Sequence, residues 1–294
     1  MYPYLIDVML RLPLLGPLHV QLPSYGLMVA LAIALGWVWL TKNARADGLD
    51  PDAAAQATFW AVLGGMLGGK LGLILVEFPS YLADPGQLLS MDFVRAAGVI
   101  WTGVLGGTAG FVLVAYRRGL PLARLLDAAA VPLPVCQAIG RVGCLLGGCC
   151  YGGRCDLPWG VVYHSAEAHG RTGVPLGVPL HPAPLYEALW SLAVVLPLLL
   201  LFRSRARHRV PGQITLLYFA LYGVGRFLVE YSRGDAIRGL WFGGAVSTSQ
   251  LLSLTIVPTA ALLWVWLVRR ARAAGAAADG AGPEDPALPG PSVP

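Results

Sequence analysis

Four of the chain's five cysteines fall inside one stretch, GRVGCLLGGCCYGGRC: Cys144, Cys149, Cys150 and Cys155. Arg141 stands in the same stretch, just after an apolar run. Clustered thiols can ligate a metal, form a disulfide or exchange with one, and a guanidinium can hold a phosphate through paired donors. The spacing C-x4-C-C-x4-C differs from zinc ribbons and fingers, whose C-x2–4-C pairs stand well apart. It contains no C-x-x-C, so it lacks the thioredoxin-like motif. The expectation is therefore no metal and no cofactor. Cys136 and Cys144 read as small buried residues packed among glycines. One disulfide among Cys149, Cys150 and Cys155 stays open if the segment faces an oxidising compartment.

The second set of reactive residues is charged side chains placed in apolar sequence. A basic group at the centre of a membrane helix costs about 2.5–3.5 kcal/mol, so it pairs, faces a cavity or does work. Arg226 lies in YGVGRFLVEYSRGD with Glu230 four residues later, which puts both on one helix face. Two readings stay open: an internal ion pair that makes both charges tolerable, or an anion site whose guanidinium Glu230 holds in place. Arg141 lies between Gly140 and Gly143, where a backbone or head group can approach closely. Two guanidiniums facing one cavity would suit a phosphate. His181 and Glu187, in HPAPLYEALW, flank the start of another apolar run. Taken singly, each reads as a helix-start residue; His181 could also serve as a general base.

These residues need apolar elements to hold them. The chain of 294 residues is 56 % hydrophobic and 13 % charged, about half the charge of an ordinary soluble protein, and that deficit with long apolar runs points to a membrane protein. A span needs about 20 mostly apolar residues. Seven candidates are present: 25–40, 58–76, 99–116, 125–146, 185–202, 214–231 and 251–268. Pro132 and Pro134 interrupt the fourth, so a broken helix is expected there. The fold expected is all-α, a polytopic membrane protein of about seven transmembrane helices.

Lysine and arginine set its orientation. Twelve lie in loops on one side, in four groups: Lys42 and Arg45; Arg117, Arg118 and Arg124; Arg203, Arg205, Arg207 and Arg209; and Arg269, Arg270 and Arg272. Six lie on the other: Arg11, Arg95, Arg154, Arg171, Arg233 and Arg238. Lys70, Arg141 and Arg226 fall within or at the edge of spans. The richer side is cytoplasmic by the positive-inside rule, which puts the N-terminus outside and the C-terminus in the cytoplasm. The net charge of +5 is accounted for by this arrangement and gives no nucleic-acid signal. No internal repeat argues for an inverted-repeat transporter.

Three regions follow. Residues 1–24 form an outer-surface segment, with 3–15 amphipathic rather than a cleavable signal peptide, since Asp7 and Pro13 interrupt it and no basic region precedes it. Residues 25–272 form the transmembrane domain, with a long Gly- and Pro-rich outer loop at 147–184. Residues 273–294, mostly Ala, Gly and Pro, are expected to be disordered.

From Tyr25 to about Arg270 the sequence resembles the bacterial prolipoprotein diacylglyceryl transferases. The pieces that carry the likeness are SYGLM at 24–28, GGMLGGKLG at 64–72, GRVG at 140–143, HPAPLYE at 181–187 and YGVGRFLVEYSR at 222–233. Their order and spacing are far more specific than any one of them. The resemblance implies transfer of the diacylglyceryl group of phosphatidylglycerol to the thiol of a lipobox cysteine in a prolipoprotein signal peptide, with glycerol phosphate leaving. It implies a multi-pass protein of the bacterial plasma (inner) membrane. Arg141 and Arg226 match the family's two essential arginines, expected to bind the lipid phosphate. Tyr25, Glu187, Tyr222 and Glu230 match other site positions, and Gly152 matches a glycine that follows the signature. The sequence departs from the family where the signature has Gly-Asn-Phe, then Asn and Glu: here stand Gly143, Cys144 and Leu145, then Gly147 and Cys149. The family's span-three histidine, a proposed base, is replaced by Thr102 in IWTGVLGG.

The nucleophile of such a reaction belongs to the substrate, and a free thiol is already partly ionised near neutral pH. The enzyme must align thiol with lipid and stabilise charge on the leaving oxygen, which arginines can do. A histidine at 102 would be expected to raise the rate, and His181 is a candidate substitute base. Two other classes stay in view. One is a non-catalytic paralogue that binds an anionic lipid or a lipidated peptide. The other is a thiol- or metal-dependent membrane module built on Cys144–Cys155.

Overall fold

The computed structural model describes residues 4–12, 16–90, 93, 94, 96, 98–204, 210–235 and 239–280. Helices dominate, and the strands among the described residues form only three two-stranded ribbons. The expected all-α membrane architecture is therefore the one observed.

The chain opens with an antiparallel hairpin, β1 (Tyr4–Leu12) and β2 (Gly16–Pro23). The amphipathic segment expected at 3–15 takes the form of a strand, insofar as 4–12 are described. An isolated helix of that length is marginal, whereas pairing with β2 satisfies the backbone of β1. Leu5, Ile6, Val8 and Met9 remain exposed on it.

Helix α1 (Ser24–Ala46) leads to α2 (Pro51–Val76) through a short turn. The side chain of Asp50 accepts from the amide of Asp52, and Pro51 takes the first helical position, where its missing N–H costs nothing. The short α3 (Phe78–Ala83) follows, and then α4 (Ile100–Arg117). Helices α2 and α4 meet backbone to backbone. A Cβ on Gly64 would strike the carbonyl of Gly106, and one on Gly110 would strike that of Trp60. In lipid, where apolar side chains gain nothing by leaving the solvent, such close small-residue contact is what holds two helices together. Lys70 of α2 donates to the carbonyls of Phe93, Val94 and Ala96 and lies 4.7 Å from the Phe93 ring centroid, so this charge pins the segment before α4.

The fourth span is broken as expected. Helices α5 (Leu122–Ala130) and α6 (Leu133–Gly147) meet at a 45° bend, next to Pro132 and Pro134. Gly148, at φ 74°, ends α6 in the left-handed conformation that favours glycine. The 147–184 segment folds on itself. Strand β3 (Val161–Val162), helix α7 (Ala166–Thr172) and strand β4 (Pro179–Leu180) enclose a small core of Tyr163, Ala168, Val174 and Leu180. Then come α8 (Ala183–Arg203) and α9 (Gln213–Val229), which runs into a 3-10 turn, Glu230–Ser232. The buried carboxylate of Asp127 on α5 accepts from the amides of Gly212 and Thr215, capping the start of α9 from a neighbouring helix. A last ribbon, β5 (Leu240–Trp241) with β6 (Val246–Ser247), precedes α10 (Thr248–Gly280).

Among the described residues, five helices are long and apolar enough to cross a membrane, six if the bent α5–α6 pair counts as one span. The third expected span, 99–116, forms the 18-residue α4, which is outside that count. Leu75, Leu105 and Leu262, each 70 % exposed or more, turn outward as lipid-facing residues do. The tail expected to be disordered from 273 instead continues α10 as far as Gly280. The run RARAAGAAADG is alanine-rich, and extending a helix already formed is easy for the best helix former. Residues 281–294 lie outside the described residues.

Candidate functional site

Glu187 gathers the charges. It stands near the start of α8, behind Pro182 and Pro184, and is buried. Its Oε2 lies 2.6 Å from Arg141 Nε, on the last turns of α6. Its Oε1 lies 3.2 Å from Arg226 Nη1, on α9, and 3.5 Å from Arg233 Nη1, just past the 3-10 turn. One carboxylate thus touches three guanidiniums brought in by three separate stretches of chain. Each also has a further partner or spare donors. Arg226 Nη2 lies 2.9 Å from Glu230 Oε2 and donates to Ser249 Oγ at 2.7 Å, so α10 joins the site. Arg233 Nε donates to Asp235 Oδ1 at 2.8 Å. Burial opposes the Arg233 charge, but the hydrogen bond to Asp235 and nearby negative groups outweigh it and hold the guanidinium protonated. Arg141 meets Glu187 through Nε, which leaves its two terminal amino groups as further donors. The Arg141 side chain is 23 % exposed, against 13 % and 7 % for Arg226 and Arg233, so Arg141 is the most accessible of the three.

Aromatic and small residues shape the space beside this cluster. Tyr222 lines one cleft with Glu187, Trp190, Gly225 and Arg226. A Cβ on Gly225 would run into the Trp190 indole, whose Nε1 donates to Leu221 O at 2.9 Å. Tyr25, at the start of α1, packs against Gly143, one residue from Cys144 and two from Arg141. Gly152 is clamped: its amide donates to His181 O at 3.0 Å, and a Cβ there would meet His181 and Ser232. A glycine is required because two backbones pass at contact distance.

The structure therefore brings together Arg141, Glu187, Tyr222, Arg226 and Glu230, with Tyr25 and Gly152 on neighbouring chain. It adds Arg233, which sequence reasoning had counted only as an outer-loop charge. The signal available was only proximity in sequence: Arg233 lies three residues past Glu230, and the 3-10 turn Glu230–Ser232 carries it back toward Glu187. Two other candidates make no hydrogen bond or ion pair with the cluster. Thr102 packs against Gly72 of α2, and its hydroxyl donates to Val99 O at 3.0 Å. The His181 ring bonds Tyr186 Oη at 3.2 Å, and that oxygen accepts from Trp159 Nε1 at 2.8 Å.

The cysteines are arranged differently from the expectation. All five are free thiols. The sulfurs of Cys144, Cys149 and Cys150 lie within 4.8 Å of one another, and Cys155 is not among them. Cys144, read from sequence as packing filler, belongs to the cluster because the left-handed turn at Gly148 folds the chain back over the end of α6. The Cys149 amide then donates to Cys144 O at 3.1 Å. Cys155 is buried elsewhere, its amide donating to Pro179 O of β4 at 3.0 Å. Hydrogen bonding with Cys144 and Cys149 holds the Cys150 thiol below the ordinary cysteine range, and the charges of Arg141 and Arg233 act the same way.

A bundle of apolar helices around buried, carboxylate-held arginines defines a polytopic membrane protein. The family profile described as prolipoprotein diacylglyceryl transferase matches residues 13–266, and the chain belongs to that family. It is similar to phosphatidylglycerol–prolipoprotein diacylglyceryl transferase 2 of Clostridium perfringens, 32 % identical over 241 residues, 82 % of this chain and 89 % of that one. It is similar also to the phosphatidylglycerol–prolipoprotein diacylglyceryl transferases of Synechococcus elongatus, 32 % identical over 256 residues (86 % and 85 %), and of Gloeobacter violaceus, 33 % identical over 262 residues (87 % and 94 %).

Proposed function

We propose that the protein transfers the diacylglyceryl group of phosphatidylglycerol to the lipobox cysteine thiol of prolipoproteins at the outer side of the bacterial plasma membrane. The observation that carries this reading is the single carboxylate of Glu187 holding Arg141, Arg226 and Arg233 together. Free guanidiniums at the membrane edge would spread over many rotamers. Held on one carboxylate, they present donors already in place, so little reorganisation is needed when charge develops. The lipid phosphate would sit against Arg141 and Arg226. The acceptor thiol gives up its proton to water, its sulfur attacks the glyceryl carbon, the bond from that carbon to the phosphate oxygen breaks, and the oxygen leaves with the electron pair as glycerol phosphate. The arginines take up that charge. Seven spans, with the 147–184 segment outside and the arginine-rich loops in the cytoplasm, would place the cluster where phosphatidylglycerol head groups and exported signal peptides meet.

The test is transfer of labelled phosphatidylglycerol to a peptide with a lipobox cysteine, in membranes lacking any other such enzyme. Wild type should label the peptide and Arg226→Ala should not. A folded, inserted wild-type protein that retains phosphatidylglycerol but forms no thioether would instead mark a lipid-binding paralogue.

A further inference from the structure

We propose that Cys144, Cys149 and Cys150 form a three-thiolate site for a thiophilic divalent cation of the zinc class, whose remaining coordination position takes the acceptor thiol. The sulfurs already lie within 4.8 Å of one another. Thiolates on one zinc ion, at about 2.3 Å each, stand roughly 3.8 Å apart in tetrahedral geometry, so closing the site takes only small side-chain rotations. Among the described residues no fourth His, Cys, Asp or Glu joins the group. Three protein ligands with one open position mark catalytic zinc sites, whereas structural sites are closed by four.

The backbone is shaped for this convergence. Cys150 has φ 57°, in the left-handed region that non-glycine residues rarely adopt, and it follows the left-handed Gly148. Such a conformation persists only where its surroundings impose it, and it collects at functional sites. Cys144 and Cys149 bracket the turn, tied by the 3.1 Å backbone bond. Cys149 and Cys150 are only half-buried, so a cation and a second thiol have access.

Position supplies the rest. Arg141 lies one helical turn before Cys144, on the same face of α6, and it is bound to Glu187 at 2.6 Å. A divalent cation with three thiolates carries one net negative charge, which the neighbouring arginines offset. A thiol entering the fourth position loses its proton to water outright, since a coordinated thiol is deprotonated by the ion. The resulting sulfur lies beside the arginines that would hold the lipid phosphate. Metal coordination would then do what a side-chain base does elsewhere, and in this the proposal departs from the sequence expectation that no metal takes part. The acceptor role rests on the proposed transferase activity; the metal site does not.

The experiment uses the full chain in lipid nanodiscs, stripped with a chelator and titrated with Cd2+ and separately with Co2+. One ion per chain, with thiolate-to-metal charge-transfer absorption, is expected. Cys150→Ser and Cys149→Ser should lose the band, while Cys155→Ser and Cys136→Ser, outside the cluster, should keep it. A lipobox peptide should shift the cobalt spectrum, and the same peptide with serine for its cysteine should not. Transfer by the stripped protein should fall about 10²-fold, the scale of losing a catalytic base, and return with Zn2+. Absence of the band, or its persistence in Cys150→Ser, overturns the site. A band that the peptide leaves unchanged, or full transfer by the stripped protein, overturns the acceptor role. If no protein sample transfers lipid, the metal titration still decides the site, and it is the transferase reading that fails.

Discussion

Removing the Glu187 carboxylate would leave three guanidiniums with one fewer anion among them, in a place where water cannot substitute. Breaking a buried pair by deleting one partner costs about 3–5 kcal/mol, because the other charge stays behind. Glu187→Gln keeps the shape and loses the charge, so it should lower the thermal midpoint in detergent and cut transfer by about 10²-fold or more. A variant with both properties unchanged would remove Glu187 from its organising place. Arg233→Lys tests the residue that sequence reasoning missed. A lysine cannot span Glu187 and Asp235 as the planar guanidinium does, so transfer should fall while the protein still folds, read as activity per inserted chain. Arg226 and Glu230 were legible as a pair because their link is local, four residues along one helix. The role of Glu187 was not, since its three partners come from α6, α9 and the chain beyond, and nothing in HPAPLYE says what it will meet.

At the scale of elements, Thr102 shows how packing decides what a side chain can do. The resemblance sets a family histidine against this position, and by type alone a histidine there would be expected to supply a base. In the structure the Thr102 side chain fills the space over Gly72, and the backbones of α2 and α4 are already in contact. A larger ring must push the helices apart, a kind of overpacking that costs about 1–3 kcal/mol. Thr102→His should therefore lower thermal stability and leave transfer no higher than wild type, whereas Thr102→Ser should be near neutral in both. A faster, equally stable Thr102→His would refute this packing account. The break between α5 and α6 was readable, because prolines act on their own local geometry. The β1–β2 hairpin was not, because apolar residues near a terminus fit a surface helix or a strand until a partner strand is found. The extension of α10 to Gly280 was missed for the converse reason. Composition suggested a tail too poor in large apolar residues to pack, but a helix already formed needs only propensity to continue.

For the whole molecule, the positive-inside rule makes the distribution of arginines a prediction of which side of the membrane holds the site. Periplasmic-type reporters fused within 203–210 should be silent and those fused near 165 active, and the reverse pattern would place the cluster on the cytoplasmic side. The 147–184 segment matters because it is not a slack loop. It has a core of its own, and it is stitched to the site where Gly152 and Gly153 donate to the carbonyls of His181 and Ser232, at 3.0 Å each. That stitching ties the cysteine turn, the start of α8 and the end of α9 into one piece, which is how charges far apart in the chain come to share a carboxylate.

By itself the sequence determined the membrane class, the apolar runs, the broken fourth span and the pairing of Arg226 with Glu230. Each of these depends on composition or on a period of a few residues, and local physics settles it. Only the tertiary structure decided that Glu187 binds Arg141, Arg226 and Arg233, that the His181 ring bonds Tyr186, and that Cys144 rather than Cys155 joins Cys149 and Cys150. Those outcomes depend on which helix faces which and on a left-handed turn at Gly148, and contacts between distant segments have no period along the chain from which to be read.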